Sequence, residues 1–273
     1  MSLDEAIRRV ATRSFCTMPR PRALVRAVGR LLAVAGLSAM LGTAFAQGGP
    51  PMVTDDPGTP GDGHWEINLG AIATRTPGRW EIAVPDADIN YGWGDNVQLK
   101  LDVPWVTSRE DGQSWKSGAG EATVGLKWRF VDQEQAGFAL STYPQYGRSM
   151  LDSSIRRGIT GAGDRFFLPI EIAAEVGGIG IAAEVGRNFV QDGPRQWVAG
   201  IVAAHGCGDG IECMAEVHAT QQAHGNALTL LNVGTRWKLS DSCTLLASVG
   251  HEFGARADEP RQLLAYLGVQ LTK

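Results

Sequence analysis

The sequence predicts an all-β protein, specifically a transmembrane antiparallel up-and-down β-barrel of about 12 strands. Two stretches carry the prediction. In Asn96–Trp105, Val97, Leu99, Leu101, Val103 and Trp105 fall on one face, and Asn96, Gln98, Lys100, Asp102 and Pro104 on the other. Glu121–Phe130 repeats the pattern, with Ala122, Val124, Leu126, Trp128 and Phe130 apolar and Glu121, Thr123, Gly125, Lys127 and Arg129 polar or small. Period two is the signature of a strand. A length of about 9–11 residues is what a tilted strand needs to cross a bilayer. A soluble periplasmic sandwich with one wet face would alternate in the same way, and is the alternative at the level of fold.

The N-terminus predicts export. Met18 is followed by the basic stretch PRPRALVRAVGR, then the short apolar run Leu31–Leu41, then Ala44-Phe45-Ala46 before Gln47. Basic, apolar and small-x-small, in that order, is a secretory signal peptide. The expected organisation is 1–46 lead and signal, with Met18 an alternative start, 47–63 an extended lead-in, and 64–273 the barrel. Of 25 Lys and Arg and 29 Asp and Glu, seven Arg and two acids precede Gln47, so the mature chain carries a formal charge of −9. That balance argues against nucleic acid as a partner, since such binding needs a basic surface. After the signal, no run approaches 18 apolar residues and no segment of helical length shows a helical period.

The strands follow in order as about 65–75, 80–91, 96–105, 121–130, 137–146, 165–176, 179–190, 196–204, 212–220, 227–239, 243–253 and 262–272. Their number is even. The connectors after the second, fourth, sixth and tenth are tight, and those after the third, fifth and eleventh are longer. The Gly-rich segment His205–Gly210 after the eighth fits this alternation least. Outer-membrane barrels place short turns on the periplasmic side and long loops outside. On that topology Trp65, Trp128 and Trp237 fall at the periplasmic boundary, and Trp80, Trp105 and Trp197 at the outer one. Indole, with its apolar body and polar N–H, suits both interfaces.

A family resemblance runs through most of the mature chain. It is carried by Thr54-Asp55-Asp56-Pro57-Gly58-Thr59-Pro60, His64-Trp65-Glu66-Ile67-Asn68, Asp88-Ile89-Asn90-Tyr91-Gly92, Val97-Gln98-Leu99-Lys100, Val103-Pro104-Trp105, Gly125-Leu126-Lys127-Trp128-Arg129-Phe130 and Ser141-Thr142-Tyr143-Pro144-Gln145. These resemble a family of Gram-negative outer-membrane barrels described loosely as transporters and related to the meta-pathway of phenol degradation. The resemblance implies location in the bacterial outer membrane and passage of small solutes, aromatic or hydrophobic ones included. It implies the barrel assembly machinery and outer-membrane lipid as partners, and it supplies no catalytic motif and no cofactor. Such barrels usually end in an aromatic residue, whereas this sequence ends Leu271-Thr272-Lys273.

If the apolar faces meet lipid, the polar faces line a lumen. The candidate lining and solute-binding residues are Asp86, Asp88, Lys100, Asp102, Glu121, Lys127, Arg129, Glu171, Glu175, Glu184 and Arg236, with Glu66 on the same face of the first strand. Lys100, Asp102, Lys127 and Arg129 are expected to pair across their hairpin. This set reads either as a structural salt-bridge lattice or as a solute path. A lumen of this strand number is wider than that of an eight-stranded barrel and narrower than that of a sixteen-stranded porin, so the expected pore is small, or occluded by inward loops such as Gly147–Asp164. Cys207 and Cys213 bracket a Gly-rich turn and can form a local disulfide in an oxidising compartment, leaving Cys243 over. His205 lies beside Cys207, but no metal-ligand spacing is present. Glu216 and His218 share a strand face; a lumenal pair is the plainer reading of them than a lipid-enzyme site. The sequence thus predicts a non-enzymatic passive channel or transporter, with a non-conducting structural or surface-interaction barrel as the alternative. Oligomeric state is not legible.

Overall fold

The computed structural model describes residues 48–222, 225, 227–254, 261 and 263–273. The predicted signal peptide lies outside them. The elements are β1 (Trp65–Thr76), β2 (Arg79–Gly92), β3 (Val97–Glu110), β4 (Lys116–Ala119), β5 (Glu121–Val131), α1 (Gln133–Ala136), β6 (Phe138–Thr142), β7 (Gln145–Ser149), α2 (Asp152–Arg156), β8 (Arg165–Val176), β9 (Ile179–Val190), β10 (Gln196–Gly208), β11 (Ile211–Gln222), β12 (Ala227–Ser240), β13 (Cys243–Phe253) and β14 (Leu263–Thr272).

Fourteen strand segments make 12 staves, because two staves are interrupted. β4 and β5 both pair with β3 and are parted at Gly120. β6 and β7 both pair with β5 and with β8 and are parted at Tyr143-Pro144. Every neighbour pair is antiparallel, and β1 pairs with β14 from Glu66↔Thr272 to Arg75↔Leu263, closing the ring. Closure gives every stave two partners and leaves no open edge, the condition for a sheet in lipid.

The alternation of the sequence becomes two surfaces. Leu99, Leu101, Val124, Leu126, Ile170, Ile172, Val185, Val217, Val233 and Leu267 are exposed on the outside. Asn68, Asp88, Asn90, Lys127, Glu171, Glu184, Glu216, Asn232 and Arg236 are buried on the inside. A globular protein in water inverts this distribution; a contiguous apolar outer surface belongs in an apolar solvent. Trp65, Trp105, Trp128, Trp197 and Trp237 all face outward. β3 continues five residues past Trp105, so this ring sits within its stave rather than at its end.

One end of the barrel carries tight turns. Asp209-Gly210 joins β10 to β11, because β10 runs on to Gly208 instead of stopping at Ala204. The disulfide Cys207–Cys213, Cα–Cα 5.8 Å, bridges the last rungs of that hairpin. The other end carries the longer connections, including residues 150–164 with α2. A bulge between Ala83 and Asp86 takes up Val84-Pro85 and shifts the inward parity of β2. Arg79, Glu81 and Ala83 face in before it, and Asp86, Asp88 and Asn90 after it. Proline, lacking an N–H, is tolerated at such a point of broken pairing.

Val233, 56% exposed in mid-strand, tests the outer surface. Val233→Arg is expected to lose about 2–4 kcal/mol of folding stability in lipid vesicles, as a cation placed near the bilayer midplane does. Denaturant titration checks this, and a loss below about 0.5 kcal/mol, the usual size of a surface substitution, would contradict it.

Candidate functional site

The lumen is entered by the chain's own N-terminal segment. Of residues 48–63, expected as an extended lead-in, 48–57 lie inside the barrel at the turn end and meet three charged lumenal side chains. Arg236, on β12, donates to the carbonyls of Gly48 (2.5 Å), Pro50 (2.8 Å) and Gly49 (3.3 Å). Glu216, on β11, accepts from the backbone N–H groups of Val53 (3.0 Å) and Thr54 (2.5 Å) and from the side-chain amide of Asn232 (3.0 Å). Lys127, on β5, pairs with Asp55 (2.9 Å) and donates to the Asp56 carbonyl. An irregular segment has no ladder for its backbone groups, so buried side chains must satisfy them.

Apolar and steric fit add to this polar frame. Met52 is buried against Val202, Ala204 and Met214. Gly200 and Gly234 make the room: a Cβ on Gly200 would stand 2.0 Å from Thr54 Oγ1, and one on Gly234 would stand 2.4 Å from Met52 Cε. Ser248 donates to the Pro51 carbonyl at 2.8 Å. The segment then leaves the lumen over the β2–β3 turn, where Gly63 N–H donates to Gly92 O at 3.0 Å and Gly92 N–H to His64 O at 2.9 Å.

The wall behind the segment is a polar network centred on Tyr143, which is fully buried where β6 and β7 part. Gln98 Nε2 donates to Tyr143 Oη at 3.0 Å and to Asn90 Oδ1 at 2.8 Å. Lys127 lies 4.6 Å from the Tyr143 ring centroid and Lys100 5.9 Å. Lys100 pairs with Asp88 at 3.2 Å, and Asp88 also accepts from Asn68 and Asn90. Glu171, wholly buried, accepts from Ser141 at 2.5 Å and lies 3.8 Å from Lys127.

The structure therefore brings Asp88, Lys100, Lys127, Glu171 and Arg236 around the N-terminal segment. The expected pairing of Lys100, Asp102, Lys127 and Arg129 with one another does not occur. The β3–β5 register sets Lys127 opposite Gln98, Lys100 opposite Gly125 and Asp102 opposite Thr123. Arg129 instead sits at the turn-end rim, bound to Asn96, the Asp95 carbonyl and Asp132. Glu175 is exposed one residue before the end of β8. Glu121 lies toward the loop end, paired with Arg165 at 2.5 Å. Glu66 donates no charge to an ion pair there, but accepts from Asn68 at 3.2 Å.

Above the segment the lumen is open. A cavity of about 550 Å³ is walled by Asp86, Asp88, Lys100, Asp102, Glu184, His218 and Tyr266 among others, with Val53 at its floor. A second space of about 710 Å³ shares Asp86, Asp102 and Arg165 with it and reaches Arg79, Glu81 and Ile159. Loop residues 158–161 wall this second space, with Arg79 donating to the carbonyls of Gly158 and Ile159 at 3.3 and 3.4 Å. The loop thus narrows one end, while the N-terminal segment fills the other. Sequence reasoning did not name Glu216 and Asn232 as holders of the segment, nor Tyr143 and Gln98 as the wall behind it. Inward parity on their strands was the signal for Glu216, Asn232 and Gln98.

No family model and no curated protein sequence matches the chain. Solved structures match its fold. An outer-membrane channel from Pseudomonas putida F1 superposes with TM-score 0.61 at 11% identity, over 80% of this chain and 98% of that one. The NanC porin gives 0.53 at 6% identity over 76% and 99%, and the KdgM porin 0.51 at 10% identity over 76% and 98%. The chain thus has the closed 12-stave antiparallel fold of porin-like outer-membrane barrels.

Glu216→Ala is expected to loosen the segment, because it removes the acceptor of the buried Thr54 N–H, at about 1–3 kcal/mol, and of the half-buried Val53 N–H and the Asn232 amide. Limited proteolysis of the folded barrel checks this. Cleavage within residues 48–60 should rise at least tenfold over the unsubstituted protein, and unchanged protection would contradict the assignment.

Proposed function

We propose that this protein is an outer-membrane channel for small solutes whose lumen is closed at the turn end by its own N-terminal segment. The observation that carries the reading is the polar cavity inside a closed, outwardly apolar barrel, continuous in lining from the loop end down to Val53. An apolar outside suits lipid. A hydrated inside with fixed charges suits passage of a solute that lipid excludes. The fold shared with porins and an outer-membrane channel supports this reading.

On the same reading the tight turns face the periplasm and the loops face outward, as barrels of this class are built. Cleavage of a signal peptide after Ala46 would place Gln47 one residue before Gly48, the first residue gripped by Arg236. The polar lining favours polar solutes over the hydrophobic ones that the family resemblance implies. Phe167 and Tyr266 supply aromatic rings in the wall of the central cavity, beside the imidazole of His218. A non-conducting barrel is the second reading, and the buried N-terminal segment is what favours it. The shared face of Glu216 and His218 does not favour an enzyme, because Glu216 spends its carboxylate on the segment.

Planar-bilayer recording separates the readings. The mature protein is expected to give small or rare conductance steps. Gly200→Ala, whose Cβ collides with Thr54, is expected to give larger and more frequent ones. Correctly inserted protein silent in both forms would overturn the channel reading.

A further inference from the structure

The walls of the central cavity are unevenly committed. Three cations line it, and each is already engaged: Lys100 with Asp88 at 3.2 Å, Arg165 with Glu121 at 2.5 Å and Arg261 with Glu252 at 2.5 Å. Asp55, at the floor, is held by Lys127 at 2.9 Å. Three carboxylates in the same wall have no ion-pair partner among the described residues: Glu184, Asp86 and Asp102. Glu184 is 6% exposed and has neither a hydrogen bond nor an ion pair among the described residues. Asp102 Oδ1 is buried without a hydrogen-bond partner. Asp86 and Asp102 come from β2 and β3 and Glu184 from β9, so the acids face each other from well-separated arcs of the ring.

We infer that this cavity is a binding site for a small organic cation, bearing a primary ammonium group, held between Glu184 on one wall and the Asp86–Asp102 pair on the other. The inference rests on the reading of the lumen as a solute path and names the solute class for it. A buried carboxylate without a partner is costly, and an entering cation repays that cost. An anion of the same size meets three acids outside any ion pair, in a wall whose cations are each paired with another acid. The rings of Phe167 and Tyr266 in the same wall offer faces to the alkyl body or the charged head of such a ligand. Glu171 stands directly opposite Glu184 across the β8–β9 pair, and His218 lies on the same inward row two strands away, with Gly200 between them in register.

Calorimetry on the refolded mature protein tests the inference without needing conduction. The probes are n-butylammonium chloride and sodium butyrate, two ligands of equal length and opposite charge. The ammonium is expected to bind and the carboxylate to bind at least tenfold more weakly. Glu184→Gln and Asp102→Asn, each checked for folding by heat-modifiable migration, are expected to weaken the ammonium at least tenfold. Glu134→Gln, at an exposed position in α1, is expected to leave it unchanged. Butyrate binding as well as the ammonium, or full affinity retained in both folded variants, would overturn the inference even in a barrel that conducts. Ammonium binding lost in the variants would support the site even in a barrel that is silent in bilayers.

Discussion

Glu216 accepts hydrogen bonds from two consecutive backbone N–H groups of the N-terminal segment, deep inside a barrel whose own backbone has none to spare. In a closed ring the staves satisfy one another, so a strand wall offers an entering chain only side chains. Backbone donors in the lumen must therefore find carboxylates, and backbone acceptors must find cations. Glu216 supplies the first need at Val53 and Thr54, and Arg236 the second at Gly48, Gly49 and Pro50. Lys127 ties down the acid that follows. A charge-assisted hydrogen bond is worth about 1.5–3 kcal/mol. Several such bonds are required to offset the ordering of an irregular stretch, at roughly 1–2 kcal/mol per residue. Pro50, Pro51, Pro57 and Pro60 lower that cost, because proline has less freedom to lose.

The same logic explains where the lumen stays open. Around the segment, charges are paired and amides are networked, from Asn68 through Asp88 and Asn90 to Gln98 and Tyr143. Above it, the cations turn toward other acids, and Glu184 and the Asp86–Asp102 pair face the cavity without an ion-pair partner among the described residues. One end of the barrel is thus built as a filled core and the other as a charged vessel. That division lies within single staves. β9 carries Glu184 at the cavity, and β5 carries Lys127 at the segment and Glu121 at the upper wall.

Much of the fold was legible in the sequence because alternation is local. Period two over Asn96–Trp105 assigns every inward and outward residue of that stave without knowledge of its neighbours. Twelve staves, their order and the inward set followed from it. Boundaries were legible less well where glycine and proline mimic turns. The glycines of 205–210 concealed the continuation of β10, and Tyr143-Pro144 parts β6 from β7 within one stave. The N-terminal segment was not legible as a lumenal element. Its hydrogen bonds to the lumenal wall span 71 to 197 positions along the chain, from Lys127 to Ser248, and an irregular backbone has no period to announce its partners. The lining residues were named by parity alone. Parity says which way a side chain points but not its depth, and so it grouped Arg129 and Glu175 with residues of the central lumen.

The claim that the segment occupies the lumen is tested most directly by joining it to the wall. Thr54→Cys and Gly200→Cys place two thiols across the contact where a Cβ on Gly200 would lie 3.0 Å from Thr54 Cβ. Oxidised, the double variant is expected to contain a peptide linking residues 54 and 200 by mass spectrometry, and to show bilayer conductance that rises on reduction. Absence of that linkage in folded, membrane-inserted protein, with each thiol reactive on its own, would contradict the account.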